Sequence, residues 1–119
     1  MVTGIGVDLV EIGRFRAEDD RSGFLRQVLT EKEISGHRGL RSDPALCARI
    51  FAAKEAVLKA LGCGLAEGWA WRDVEITTDF RVVLSGGAGR LARERSLRKI
   101  HVVQSCTGRY AVALAIAEA

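Results

Sequence analysis

Asp43-Pro44-Ala45-Leu46-Cys47-Ala48-Arg49-Ile50-Phe51-Ala52-Ala53-Lys54-Glu55-Ala56-Val57-Leu58-Lys59-Ala60-Leu61-Gly62 is the stretch that decides the fold. Asp43 supplies a capping carboxylate, Pro44 suits the first helical position, and Gly62 is a natural stop. Leu46, Ile50, Ala53, Val57 and Leu61 recur at helical spacing and mark a buried stripe. The pattern predicts one dominant helix of about 18 residues. Glu55 and Lys59 stand four apart on one face, roughly opposite that stripe. Spacing alone makes them an exposed ion pair worth a few tenths of a kcal/mol. The functional alternative is a carboxylate that holds a metal and an ammonium beside a phosphate. Ala52, Ala53, Ala56 and Ala60 would let a ligand or another element come close.

Upstream, residues 2–10 alternate loosely, are rich in Val, Ile and Leu, and predict a first strand. Gly4 and Gly6 weaken a plain strand but let something approach its backbone. Asp8 sits inside the apolar run Ile5-Gly6-Val7-Asp8-Leu9-Val10, where a carboxylate is costly unless bonded, paired or metal-bound. A bond to nearby backbone is the simplest account of it. A carboxylate on a strand and another on a helix suit Mg²⁺, which takes few protein ligands and completes its shell with water and phosphate oxygens. Thr30-Glu31-Lys32-Glu33 fits a capping box and predicts a short helix ended by Gly36 or Gly39.

Downstream the pattern turns to strands. Val74–Thr78 and Arg81–Leu84 predict a pair joined near Asp79-Phe80, followed by a helix over roughly 87–97. Ile100–Ser105 and Tyr110–Ala117 predict a hairpin turning at Thr107-Gly108-Arg109. The expected fold class is α+β: a mostly antiparallel sheet packed against one long helix and shorter helices. The 119 residues suit a single domain spanning 1–119.

Composition sets limits on function. No run reaches the apolar length of a membrane span, and the start lacks the basic and apolar regions of a signal peptide, so a cytoplasmic protein without membrane contact is expected. Cys47, Cys63 and Cys106 form no C-x-x-C pair and lie at no metal spacing from His37 or His101, so small buried or half-buried thiols are expected. The net charge is only +3. Arg90, Arg93, Arg95, Arg98 and Lys99 nevertheless cluster against Glu94, and Arg14, Arg16, Arg21 and Arg26 are interleaved with acids. Such runs suit an acidic protein, a phosphate-rich ligand or nucleic acid, or are simply solvated faces. No P-loop, nucleophile elbow or dinucleotide fingerprint is present.

Taken in order, Gly4 to Phe15, Leu29 to Glu33, Phe51 to Ala60 with Gly62-Cys63-Gly64, Trp71 to Ile76, and Tyr110 to Ala113 resemble the signatures of the holo-acyl-carrier-protein synthase type of phosphopantetheinyl transferase. The resemblance runs nearly end to end, and the central helix is its most specific part. It implies the 4′-phosphopantetheinyl transferase-like fold and transfer of 4′-phosphopantetheine from coenzyme A to a serine of an acyl carrier protein, releasing adenosine 3′,5′-bisphosphate. It implies Mg²⁺ on Asp8 and Glu55, with Lys59 neutralising phosphate charge or assisting proton transfer. It also implies Gly62 and Gly64 against the coenzyme, with Cys106 and Thr107 in its pocket. Arg14, Arg21 and Arg26 would meet the acidic helix of the carrier protein. A homotrimer with coenzyme A between subunits is implied, in fatty-acid or polyketide synthesis. Either a water on the metal or Glu55 would accept the serine proton.

Three departures from the family pattern touch the expected coenzyme pocket rather than the metal site. Ile50 stands where arginine is common, Cys106 where Ser-His-Thr would place histidine, and a Gly-x-Pro turn before the Arg81–Leu84 strand is missing. Two other functions compete with the transferase. One is a weak or inactive paralogue that binds carrier proteins as a scaffold. The other is a small basic nucleic-acid-binding module, which four Phe, two Trp and one Tyr supply poorly with stacking surfaces. No nucleic-acid partner is expected.

Overall fold

The computed structural model describes residues 1–63 and 68–119. Strand β1 (Val2–Glu11) runs into a 3-10 turn, Ile12–Phe15, and helix α1 (Glu18–Val28) follows. Then come α2 (Glu31–Gly36), α3 (Pro44–Leu61), β2 (Val74–Ile76), β3 (Val82–Leu84), α4 (Gly86–Glu94), β4 (Lys99–Cys106) and β5 (Tyr110–Glu118). The strands form two antiparallel sheets: a three-stranded one in the order β1-β5-β4, and the β2-β3 pair. The α+β expectation holds, with the strands divided between two sheets.

Local chemistry explains the long helix. The Asp43 carboxylate accepts from the Leu46 N–H at 3.0 Å, and Pro44 opens the first turn. Gly62 closes α3 in the left-handed conformation, φ 77°, which costs a glycine little. Thr30 and Glu33 form the full capping box at the start of α2. Helix α1 is an addition to the expected elements. Its acids Glu18, Asp19 and Asp20 crowd the first turn and Arg26 the last, an order that favours the helix dipole. Only Phe24, Leu25 and Val28 give it a buried edge.

Helix α3 is the axle of the core and is buried nearly all round, not along one stripe. Strand β1 packs against it through two glycines. A Cβ on Gly4 would lie 2.1 Å from the Ala60 carbonyl oxygen, and one on Gly6 would lie 1.9 Å from that of Ala56. Ala111, Ala113, Ala115 and Ala117 present the inner face of β5. Small residues on both sides let sheet and helix backbones approach closely. The opposite face of the sheet is apolar and uncovered: Ile5, Val7, Leu9, Val103 and Val112 are all exposed, Leu9 to 62%. Cross-strand register joins them, Val7 facing Leu114 and Leu9 facing Val112.

Cys47 and Cys63 are buried as expected; Cys106 is exposed at the end of β4, so the expectation of a covered thiol fails there. The β4–β5 turn leaves that strand end in solvent. Among the described residues, no helix is long and apolar enough to cross a membrane.

Candidate active site

Asp8, Glu55 and Lys59 come together where β1 crosses α3. Gly4, Gly6, Asp8 and Val10 alternate toward the helix, as the two-residue repeat of a strand requires. The glycine contacts bring Asp8 down onto the α3 face that carries Glu55 and Lys59. The Lys59 ammonium donates to the Asp8 carboxylate at 3.1 Å and to the Val7 carbonyl at 3.0 Å. Lys59 thus pairs across to the strand, where its spacing had suggested Glu55. The Glu55 carboxyl is half-buried, and its pKa is pushed above the ordinary value. Burial is the largest cause and the negative charge of Asp8 the next, with Lys59 and Arg14 opposing them. Two carboxylates near enough to repel, beside one ammonium, make a site that a cation relieves.

That donor set fits a hard divalent ion. All of the donors are oxygens, and two carboxylates suffice for Mg²⁺ when water and phosphate complete the shell. Among the described residues, no group of three or more His, Cys, Asp or Glu side chains forms a fuller cage. Zinc-type sites, which draw three or four ligands from the protein, lack that basis there.

The three arginines assigned to the carrier differ in setting. Arg14 is exposed, with its guanidinium 4.9 Å above the Phe51 ring, one turn of α3 before Glu55. Arg26 is exposed near the end of α1. Arg21 is half-buried and donates to the carbonyls of Arg41, Phe15 and Arg16 at 3.1, 3.0 and 2.6 Å. It braces the 3-10 turn against α1.

Apart from Lys59, which bonds to the middle of β1, the residues assigned to coenzyme A separate into two groups. Gly62 lies at the end of α3 that meets the start of β1, where Ala60 touches Gly4. Gly64 lies outside the described residues. Cys106 and Thr107 stand at the β4–β5 turn, beside the other end of β1, where Glu11 pairs with Tyr110. Seven residues of extended chain separate those ends, roughly 24 Å.

The departures have structural counterparts. Ile50 is wholly buried in the core. Arg49 instead donates to the Gln104 side chain at 2.6 Å, its guanidinium 5.0 Å from the Phe80 ring centre. Phe80 occupies the β2–β3 turn at φ 57°, a conformation costly for a side-chain-bearing residue.

One feature of the site escaped the sequence reading. Lys54, next to Glu55, is fully buried, and its ammonium lies 2.7 Å from the equally buried Glu33 carboxylate. Burial pulls its pKa below the ordinary lysine value, and Glu33 opposes that pull. The signal was available: Ile50, Lys54, Val57 and Leu61 lie at i, i+4, i+7 and i+11, so a lysine interrupts an apolar stripe.

Comparison with known proteins gives the family of the chain. The family model of the 4′-phosphopantetheinyl transferase superfamily matches residues 4–115. The chain belongs to this superfamily. Curated relatives named holo-acyl-carrier-protein synthase include one from Geotalea daltonii, 39% identical, covering 99% of both chains. Another, from Desulforudis audaxviator, is 42% identical, covering 98% of this chain and 93% of its own. Among solved structures, the Mycobacterium tuberculosis acyl carrier protein synthase is 32% identical with a TM-score of 0.67, covering 100% of this chain and 99% of that one. The Bacillus anthracis holo-acyl-carrier-protein synthase, solved in complex with CoA (3′,5′-ADP), is 29% identical with a TM-score of 0.70, covering 98% and 96%.

Proposed function

We propose that the protein is a holo-acyl-carrier-protein synthase, transferring 4′-phosphopantetheine from coenzyme A to a serine of an acyl carrier protein. The observation that carries this reading is the meeting of Asp8, Glu55 and Lys59 at the β1–α3 crossing, in a chain of this superfamily. The transfer forms a bond from the serine Oγ to the pantetheine-side phosphorus and breaks that phosphorus's bond to the bridging oxygen. The serine proton passes to water or to Glu55, and adenosine 3′,5′-bisphosphate departs with the bridging oxygen.

Asp8 and Glu55 would hold Mg²⁺. When bound, the ion would polarise the diphosphate and offset charge on the leaving group. Lys59, half-exposed and aimed at Asp8, is within reach of a phosphate bound there. The β1 backbone carbonyl of Val7 holds that ammonium in place without neutralising it. Arg14 and Arg26 form a basic approach for an acidic carrier helix, and such complementarity mainly raises the association rate. Arg21 contributes by bracing this surface.

We assign the working form as a homotrimer of a single domain, in the cytoplasm. Two features support the assembly. The exposed Ile5, Val7, Leu9, Val103 and Val112 form a continuous apolar face of the kind that marks protein contact. The coenzyme residues Gly62 and Thr107 stand at opposite ends of β1, an arrangement suited to a pocket shared between neighbouring copies.

Intact-mass analysis of an apo carrier protein, incubated with the protein, coenzyme A and Mg²⁺, tests the reading. The expected result is a gain of one phosphopantetheine that EDTA blocks. A folded protein that modifies none of several carriers would overturn it.

A further inference from the structure

We propose that the buried Lys54–Glu33 pair is a positioning device that fixes the roll of α3 and so aims Glu55 at Asp8. The inference rests on the transferase reading of the site. Lys54 and Glu33 are both wholly shielded from solvent. Besides Glu33 at 2.7 Å, the Lys54 ammonium donates to the Val28 carbonyl at 2.9 Å and to the Trp71 carbonyl at 3.3 Å. Glu33 accepts from the Thr30 N–H at 2.9 Å and from the Ile76 N–H at 2.8 Å. One ion pair therefore gathers the end of α1, the start of α2, the turn at Trp71, and β2 onto a single point of α3.

Burying two charges is expensive, and apolar residues of similar size commonly stabilise a core as well or better. Stability alone is thus a poor reason for this pair. Direction is a better one, because an ammonium with three fixed acceptors tolerates little rotation of its helix. On the β1 side alanines meet glycines, which restrain distance more than roll, and the Lys59 bonds to Asp8 and Val7 hang on a long, half-exposed arm. On the opposite side the buried pair supplies the firmer restraint. Glu55 is the next residue along the chain, so a change in roll moves its carboxylate directly relative to Asp8. Trp71 also packs against Phe51 at 5.5 Å between ring centres, so the same clamp borders the wall that carries Arg14.

The test compares wild type with E33Q/K54M. The amide introduced at position 33 keeps one acceptor oxygen, which can serve the Ile76 N–H while its N–H donates to the Val28 or Trp71 carbonyl that Lys54 releases, at the cost of the bond from the Thr30 N–H. A second variant, Glu33→Asp, keeps both charges but shortens the arm. Folding is read by circular dichroism and melting, metal affinity by electron paramagnetic resonance of Mn²⁺ with coenzyme A present, and turnover by carrier mass shift. Expected for a folded variant is Mn²⁺ affinity reduced at least fivefold and kcat at least tenfold, with the KM for coenzyme A within threefold. Mn²⁺ affinity within twofold of wild type, whatever the turnover, overturns the proposal. Failure of both variants to fold makes the pair a folding element and overturns it too. Wild type that binds Mn²⁺ but modifies no carrier sinks the transferase reading separately; wild type that binds no Mn²⁺ sinks both.

Discussion

Gly6→Ala is the sharpest test of how this fold makes its site. A methyl group at position 6 would begin 1.9 Å from the Ala56 carbonyl oxygen, 2.8 Å from the Ala60 nitrogen and 2.9 Å from the Ala56 carbonyl carbon. All three are backbone atoms of α3, which cannot rotate aside as a flexible side chain would. Ordinary contact begins near 3.4 Å, so β1 must withdraw from α3 by about 1.5 Å. Overpacking of this kind costs about 1–3 kcal/mol. For a chain of this size that lowers Tm by roughly 3–15 °C. Asp8 is two residues away on the same face and moves with the strand, while Glu55 stays on the helix. A misplacement of about 1 Å in a reacting constellation can cost roughly 100-fold in rate. Transfer to an apo carrier, assayed well below both melting temperatures, should therefore fall by about two orders of magnitude in fully folded protein. Gly6→Ala with Tm within 2 °C of wild type and more than a third of its activity would refute the reasoning.

Gly23→Ala in α1 is the opposite case: a Cβ there meets nothing within 4 Å, so Tm should rise, by about 0.5–1 kcal/mol of stability, with activity unchanged. Glu55→Gln should abolish transfer yet raise the melting temperature of metal-free protein at neutral pH. The sign follows from a folded-state pKa above the ordinary value: ionised Glu55 is disfavoured by folding, so stability falls as pH rises through that range, and a neutral amide removes the penalty. Paired melts of the two proteins across pH 4 to 8 check this, and curves that stay parallel would contradict it. Leu9→Glu should split the proposed trimer into monomers in sedimentation and lose transfer with it. Cys106→His should lower the KM for coenzyme A in steady-state transfer if the β4–β5 turn contributes to its pocket.

Much of the fold was legible because its signals are local. Asp43-Pro44 and Gly62 delimit α3, Thr30 and Glu33 cap α2, and the hairpin ends fall within a residue or two of their expected places. Helix α1 was missed because its apolar contacts, Phe24, Leu25 and Val28, are few and crowd its last turn. Asp8 and Glu55 were individually legible as costly or well-placed carboxylates, and the family signatures joined them. Their meeting in space depends on Gly4 and Gly6 facing alanines some fifty residues away, which no local pattern reports. The same limit hid the partner of Lys54. Sequence spacing shows that a lysine breaks an apolar stripe, but the carboxylate that answers it belongs to a capping box already explained by its own helix. A residue that satisfies one local rule completely gives no sign that it serves a second. Glu33 does both, one carboxylate oxygen shared by the cap and the ammonium and the other on β2, and this double duty ties the outer helices to the reacting helix.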